Sequence, residues 1–223
     1  MCFSASASFI AGTALLAVGA ATIRLTERKA ELPFATIPLL FGLQQIIEGM
    51  IWLSFHEQSP LPVKTLTLIY SLFSHVVWPM FVPFAVGLLE TVPWRKKALV
   101  ACQVAGTVVG LYLLYFIVKF PVTAQVLGKH IVYESPHFYI NEVMILYLIA
   151  TCASSFVSSH RIIRLFGALS LGSFAFAYAI HAETTVSVWC FFAAVLSIVV
   201  YAYFWKERST ARALRPVERV DET

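Results

Sequence analysis

At 223 residues, with 59% of them hydrophobic and 13% charged and a mean hydropathy of +0.79, the chain lies far from soluble-domain averages and reads as a membrane protein. Its net charge of +4 is spread in short clusters between apolar runs; this pattern reports topology and argues against a nucleic-acid partner. The four cysteines, Cys2, Cys102, Cys152 and Cys190, form no CxxC pair, which argues against a disulfide scaffold or a zinc ribbon.

Apolar runs of membrane-crossing length predict an all-α seven-transmembrane-helix bundle, with spans at about 4–23, 34–56, 65–90, 98–118, 138–158, 162–182 and 185–205. Together they make one domain, residues 1–205, followed by a polar tail over 206–223. The first run has no Lys or Arg before it and no small-residue cleavage site, so it is expected to stay as a helix. Pro33, Pro60, Pro62, Pro93, Pro121 and Pro136 fall in or beside the connections, where residues that interrupt helices belong. The longest connection, between spans 4 and 5, carries His130, Glu134 and His137 and has the length of a lid.

Basic residues set the orientation. Arg24, Arg28, Lys29, Arg95, Lys96, Lys97, Arg161, Arg164, Lys206, Arg208, Arg212, Arg215 and Arg219 fall on one side, thirteen of the sixteen, against Lys64, Lys119 and Lys129 on the other. The asymmetry predicts an outside N-terminus and a cytoplasmic C-terminus, in the plasma membrane. Trp94, Tyr139 and Trp205 read as interfacial anchors. Small residues of span 6, from Gly167 to Ala177, read as helix contacts. No internal repeat halves the chain, which disfavours an inverted-repeat transporter.

The informative residues are polar ones inside the spans. Glu48, with Gln44 and Gln45 on the preceding turn, sits deep in span 2, where a carboxylate costs about 2.5–3.5 kcal/mol and calls for a partner. Span 3 brings His75 to a similar depth, flanked by Ser71 and Trp78 and followed by Pro79 and Pro83. Cys2 at the start of span 1, Asn141 and Glu142 at the start of span 5, His181 and Glu183 between spans 6 and 7, and Cys190 in span 7 also fall in the outer half.

Carboxylate, imidazole and thiolate are ligand types for zinc, or for copper or iron where geometry suits. Glu48, His75, Cys2 and His181 are therefore the expected metal ligands. Glu48 and His75 lie roughly 13–16 Å below the outer boundary by helix rise, so one metal reaches all four only if the outer surface is dished. Otherwise Cys190 is the better sulfur. His56, His130 and His137 read as solvated loop residues, His160 as a cytoplasmic-side one, and Cys102 and Cys152 as small apolar residues.

The opening MCFSASASF, with QQIIEGMIW in span 2, SHVVWP in span 3 and VWCFFAA in span 7, resembles a family of bacterial multi-spanning membrane proteins that begin Met-Cys-Phe-Ser-Ala. The resemblance implies a seven-span bacterial membrane protein and draws interest to Cys2, Glu48 and His75, but carries no reaction with it. If Met1 is removed, Cys2 presents an amine and a thiolate together, a natural chelate. A retinal protein needs a lysine inside the last span, and none occurs there before Lys206; zinc hydrolases related to adiponectin receptors carry histidines there, and span 7 has none.

Three functions are thus expected. The first is a metal centre in the outer half of the bundle, acting as a metal-dependent hydrolase on an amphiphilic small molecule or in redox or metal handling. The second is a metal-free proton or cation transporter or sensor using Glu48 and His75. The third is a structural subunit of a membrane complex. The bilayer is the partner common to all three.

Overall fold

Ser4, in an extended conformation, turns its hydroxyl back to accept the Ala7 N–H at 3.3 Å and so starts the first helix. This is α1, Ala5–Arg24. The structure, a computed structural model, describes residues 4–56, 62–128, 130–135, 137–180 and 185–214. The buried residues of α1, Ser8, Gly12, Leu15, Gly19 and Thr22, form one narrow face that lies against α2, Lys29–Ser54. A side chain at Gly19 would come within 2.5 Å of the Leu39 backbone nitrogen. Glycine is what allows the two helices to lie this close.

The next helix, α3 (Val63–Leu89), shows how a proline shapes the site. Pro79 has no N–H for the His75 carbonyl, and its ring presses on that carbonyl. The helix widens into a π turn over Leu72–Val77, the insertion that often marks functional positions. Pro83 likewise offers no N–H to the Pro79 carbonyl, and that carbonyl faces Gly106 of α4, Pro93–Lys119. A Cβ on Gly106 would collide with the Pro79 carbonyl oxygen; the missing side chain lets α4 seat against the widened turn.

Helix α5, Asn141–Val157, also contains a π turn, Ile149–Ala153. Here the cause is hydroxyls that bond back to the preceding turn: Thr151 donates to the Tyr147 carbonyl at 2.8 Å and Ser154 to the Ala150 carbonyl at 2.5 Å. Next comes α6, Arg161–Ile180. The chain then forms α7, Thr185–Leu196, and, after a break at Ser197, α8, Ile198–Leu214.

Six of these helical runs are long and apolar enough to cross a membrane: α1, α2, α3, α4, α6 and the run of α7 with α8. The fifth expected span corresponds to α5, a shorter apolar helix. The outward face of α4 shows why lipid is its natural surrounding. Val100, Val104, Val108, Leu111, Tyr115 and Val118 are exposed at helical spacing, an apolar stripe that a soluble protein would bury.

The connection expected to be a lid is a two-stranded antiparallel hairpin, β1 (Thr123–Leu127) and β2 (His130–Glu134), paired from Thr123 opposite Glu134 to Leu127 opposite His130. Gly128 takes the positive φ of 61° that the turn requires. Strand alternation buries Ile131 and Tyr133, and Ser135 continues that face, while Glu134 points out. The hairpin's inner face thus closes one end of the bundle.

The opposite end is tied by carboxylates. Glu90, almost fully buried, accepts the N–H groups of Thr91, Val92 and Ser159 at 3.0, 2.9 and 2.7 Å, joining the start of α4 to the turn after α5. Arg208 of α8 reaches Glu27 at 2.5 Å and Glu31 at 3.3 Å and donates to the Leu25 carbonyl. That contact holds α8 to the turn between α1 and α2.

Candidate functional site

The polar residues of α2 and α3 converge at the hairpin end, as their depth predicts, but through other partners. Gln44 and Trp78 link the two helices directly: the indole N–H donates to Gln44 Oε1 at 2.7 Å, and the Trp78 ring stacks on Phe41 with centroids 3.8 Å apart. Glu48 and His75 are both fully buried, and each is held by hydroxyls of its own.

Glu48 Oε1 accepts the Ser187 hydroxyl at 2.9 Å and the Tyr133 hydroxyl at 3.4 Å, while Gln45 Nε2 reaches Oε2 at 3.3 Å. The Tyr133 ring is itself fixed by stacking on Tyr70, at 4.4 Å and 7°. Cys190 lies beside Tyr70 and Gln44, on the same side of the bundle as Glu48. Gln44 Nε2 and Gln45 Oε1, on the turn of α2 before Glu48, are buried and make no hydrogen bond among the described residues; the same holds for Ser8 Oγ, Thr67 Oγ1 and Ser71 Oγ elsewhere in the bundle.

His75 sits in the π turn with the Phe138 ring 4.9 Å away. Its Nδ1 lies 2.7 Å from Ser74 Oγ and its Nε2 3.0 Å from Ser135 Oγ. Ser74 Oγ also lies 3.4 Å from the Ser71 carbonyl, an acceptor that would take its hydrogen when it accepts from Nδ1–H. In that tautomer Nε2 is the bare nitrogen and Ser135 donates to it. The Tyr147 hydroxyl donates to the Ser74 carbonyl and steadies the turn.

The two ionisable groups therefore do not meet. They are joined through β2, whose inward residues Tyr133 and Ser135 serve Glu48 and His75 respectively. Among the described residues no three of His, Cys, Asp and Glu are placed to hold a metal ion. Cys2, His181 and Glu183 lie outside the described residues. Asn141, Glu142 and His56 are exposed, and His160 pairs with Tyr203 at the opposite end.

Ser135 also borders a cavity of about 240 Å³, between the last turns of α4 and the base of the hairpin. Its walls are apolar on the α4 side, with Leu113, Phe116 and Phe120, and polar at Thr123, Glu134 and His137. His137 is no loosely solvated loop residue: its ring stacks on Phe116 at 3.7 Å. A smaller cavity of about 30 Å³ lies deeper, bordered by Cys152 and Cys190, with room for a water or two.

Sequence reasoning missed the hydroxyl partners Tyr133, Ser135 and Ser187. The alternation in IVYES, residues 131–135, is the signal that would have found the first two, because a strand points residues 131, 133 and 135 one way.

Over residues 1–215 the chain matches the family of unknown function DUF6629. No curated protein and no solved structure matches it.

Proposed function

Because the chain belongs to the DUF6629 family, whose function is unknown, we propose its role from the site alone: a bacterial inner-membrane protein that holds a transition metal on Glu48, in the outer half of a seven-crossing bundle. The N-terminus is outside and the C-terminus cytoplasmic, as the basic residues argue. The hairpin end is then the outer end.

One observation carries the metal reading. Glu48 Oε1 bonds Ser187, the third residue of α7, so a carboxylate from the interior of α2 lies level with the start of α7. Phe9, near the start of α1, lies against Gly49. A dished outer surface is the condition under which Cys2, ahead of α1, and His181, directly after α6 in sequence, reach Glu48. These three give the carboxylate, thiolate and imidazole of a zinc site with one open position. His75, with both ring nitrogens on serines, stands outside this set, although a metal that displaces Ser135 would recruit it. The buried, unpartnered amide atoms of Gln44 and Gln45, beside Glu48 on α2, suit a polar guest.

Zinc there would activate water for hydrolysis of an amphiphilic substrate, and copper or iron would favour redox or metal handling. Elemental analysis of protein purified in detergent without added metal is the test. We expect about one equivalent of zinc or copper, lost in Glu48→Gln and Cys2→Ser. A folded, metal-free wild-type preparation overturns the reading. A metal-free relay is favoured by the run Ser135, His75, Ser74; proton flux in liposomes that Glu48→Gln or His75→Gln abolishes would select it instead.

A further inference from the structure

We propose that Ser135 is the nucleophile of a second, metal-independent activity, the hydrolysis of carboxylic esters of lipid-like amphiphiles, with His75 as its general base and His137 as the donor to the carbonyl oxygen.

The order of hydrogen bonds is what a serine nucleophile needs. Ser135 Oγ lies 3.0 Å from His75 Nε2, and Nδ1 lies 2.7 Å from Ser74 Oγ, which has the Ser71 carbonyl 3.4 Å away to take its hydrogen. With Ser74 accepting from Nδ1–H, the base is bare on the side that faces the nucleophile and held on the other, the nucleophile, base and orienter logic of hydroxyl catalysis. Ser135 borders the 240 Å³ cavity.

The cavity fits an amphiphile. Leu113, Phe116 and Phe120 form the wall on the α4 side, and Phe120 is 55% exposed, so an acyl chain can enter from the outer leaflet. Thr123, Glu134 and His137 line the polar part. Residue 136 is a proline and has no N–H, so the residue after the nucleophile supplies no backbone donor to an oxyanion. Thr123 commits its hydroxyl to Glu134 at 2.6 Å. That leaves the imidazole of His137, adjacent in sequence and lining the same cavity, to meet the carbonyl oxygen.

In the reaction, Ser135 Oγ attacks the ester carbonyl carbon and its proton passes to His75 Nε2. The bond from that carbon to the alcohol oxygen breaks, and the alcohol leaves with the proton from Nε2. Water then attacks the acyl carbon and gives a proton to Nε2; the bond to Ser135 breaks, Oγ recovers the proton, and a carboxylic acid is released.

The test uses the full chain in detergent with a long-chain alkyl fluorophosphonate, read by intact mass and peptide mapping, before and after treatment with a chelator. We expect one phosphonate per chain, on Ser135, at the same rate with and without chelator. Labelling should be at least about 100-fold slower in His75→Gln, the usual scale of general-base assistance, and His137→Phe should slow hydrolysis of p-nitrophenyl decanoate. A folded wild-type chain that leaves Ser135 unlabelled overturns the proposal, as does labelling that chelation abolishes or that His75→Gln leaves unchanged. If His75→Gln does not fold, the wild-type and chelator arms decide. The metal reading is tested by metal content and this one by metal-independent labelling, so either can fail while the other stands.

Discussion

Replacing Glu90 by glutamine should loosen the end of the bundle opposite the hairpin. Glu90 is 1% exposed; its Oε1 accepts Thr91 and Val92 N–H at 3.0 and 2.9 Å, and its Oε2 accepts Ser159 N–H at 2.7 Å. A glutamine keeps an acceptor on one side only, so at best it retains the first two bonds, now uncharged, and turns an amide N–H towards Ser159. A hydrogen bond to a charged group contributes about 1.5–3 kcal/mol against about 1 for a neutral one. Losing one such bond and weakening two gives a destabilisation of about 3 kcal/mol, or roughly 6–12 °C in Tm for a chain of this size. The buried cysteines Cys102, Cys152 and Cys190 allow unfolding in detergent to be followed with a thiol-reactive dye. The gap should also depend on pH. Burial alone would raise the Glu90 carboxyl, but the N–H groups of Val92, Ser159 and Thr91 outweigh it and hold the carboxyl below its usual range. A lowered folded value means that the stabilisation is complete above the unfolded value of about 4.3 and is lost as pH falls through the folded one. Wild type and Glu90→Gln should therefore converge in acid. A gap under about 1 kcal/mol at pH 7, or one unchanged at pH 3, would refute the reasoning.

Three further substitutions probe other contacts. Gly106→Ala puts a Cβ 2.8 Å from the Pro79 carbonyl carbon; it should cost about 1–3 kcal/mol and shift the π turn, and phosphonate labelling of Ser135 would report the shift as a slower rate. Arg208→Ala removes the contacts to Glu27 and Glu31, with a loss of about 1–2 kcal/mol expected for this half-buried cluster and faster tryptic cleavage beyond Trp205; unchanged cleavage would show that α8 is held by its apolar contacts. Ser187→Ala takes one donor from Glu48 and should lower stability by about 1.5–3 kcal/mol; an unaltered melting curve would show that the carboxylate has ample other support.

Much of the helical framework was legible because lipid imposes a simple rule: a long apolar run must be a helix. Expected spans such as 65–90 and 185–205 match Val63–Leu89 and Thr185–Thr210 closely. The fifth was the least visible in length, because Pro136 and the polar Asn141 leave α5 only the shorter run to Val157. Glu48 and His75 were legible as buried polar residues for the same reason. Their partners were not, since serine and tyrosine hydroxyls suit both solvent and interior and carry no signal until a backbone aims them. The hairpin was hidden by its mixed composition, although Gly128 and the alternation after it point to strands. The π turn at His75 follows from Pro79, a residue whose effect on the turn before it is easily read as a simple kink.

The glycine seam between α1 and α2 bears on how the chain is made. Gly12 and Gly19 of α1 face Gly42 and Leu39 of α2, and Phe9 lies against Gly49, so these two segments can mate as they leave the translocon, before later ones are synthesised. The acid at position 48 then enters the bilayer already walled on its glycine side by its older neighbour. Nascent chains carrying a bulky residue at position 19 would have to carry that carboxylate through insertion as a lone, unsheltered helix.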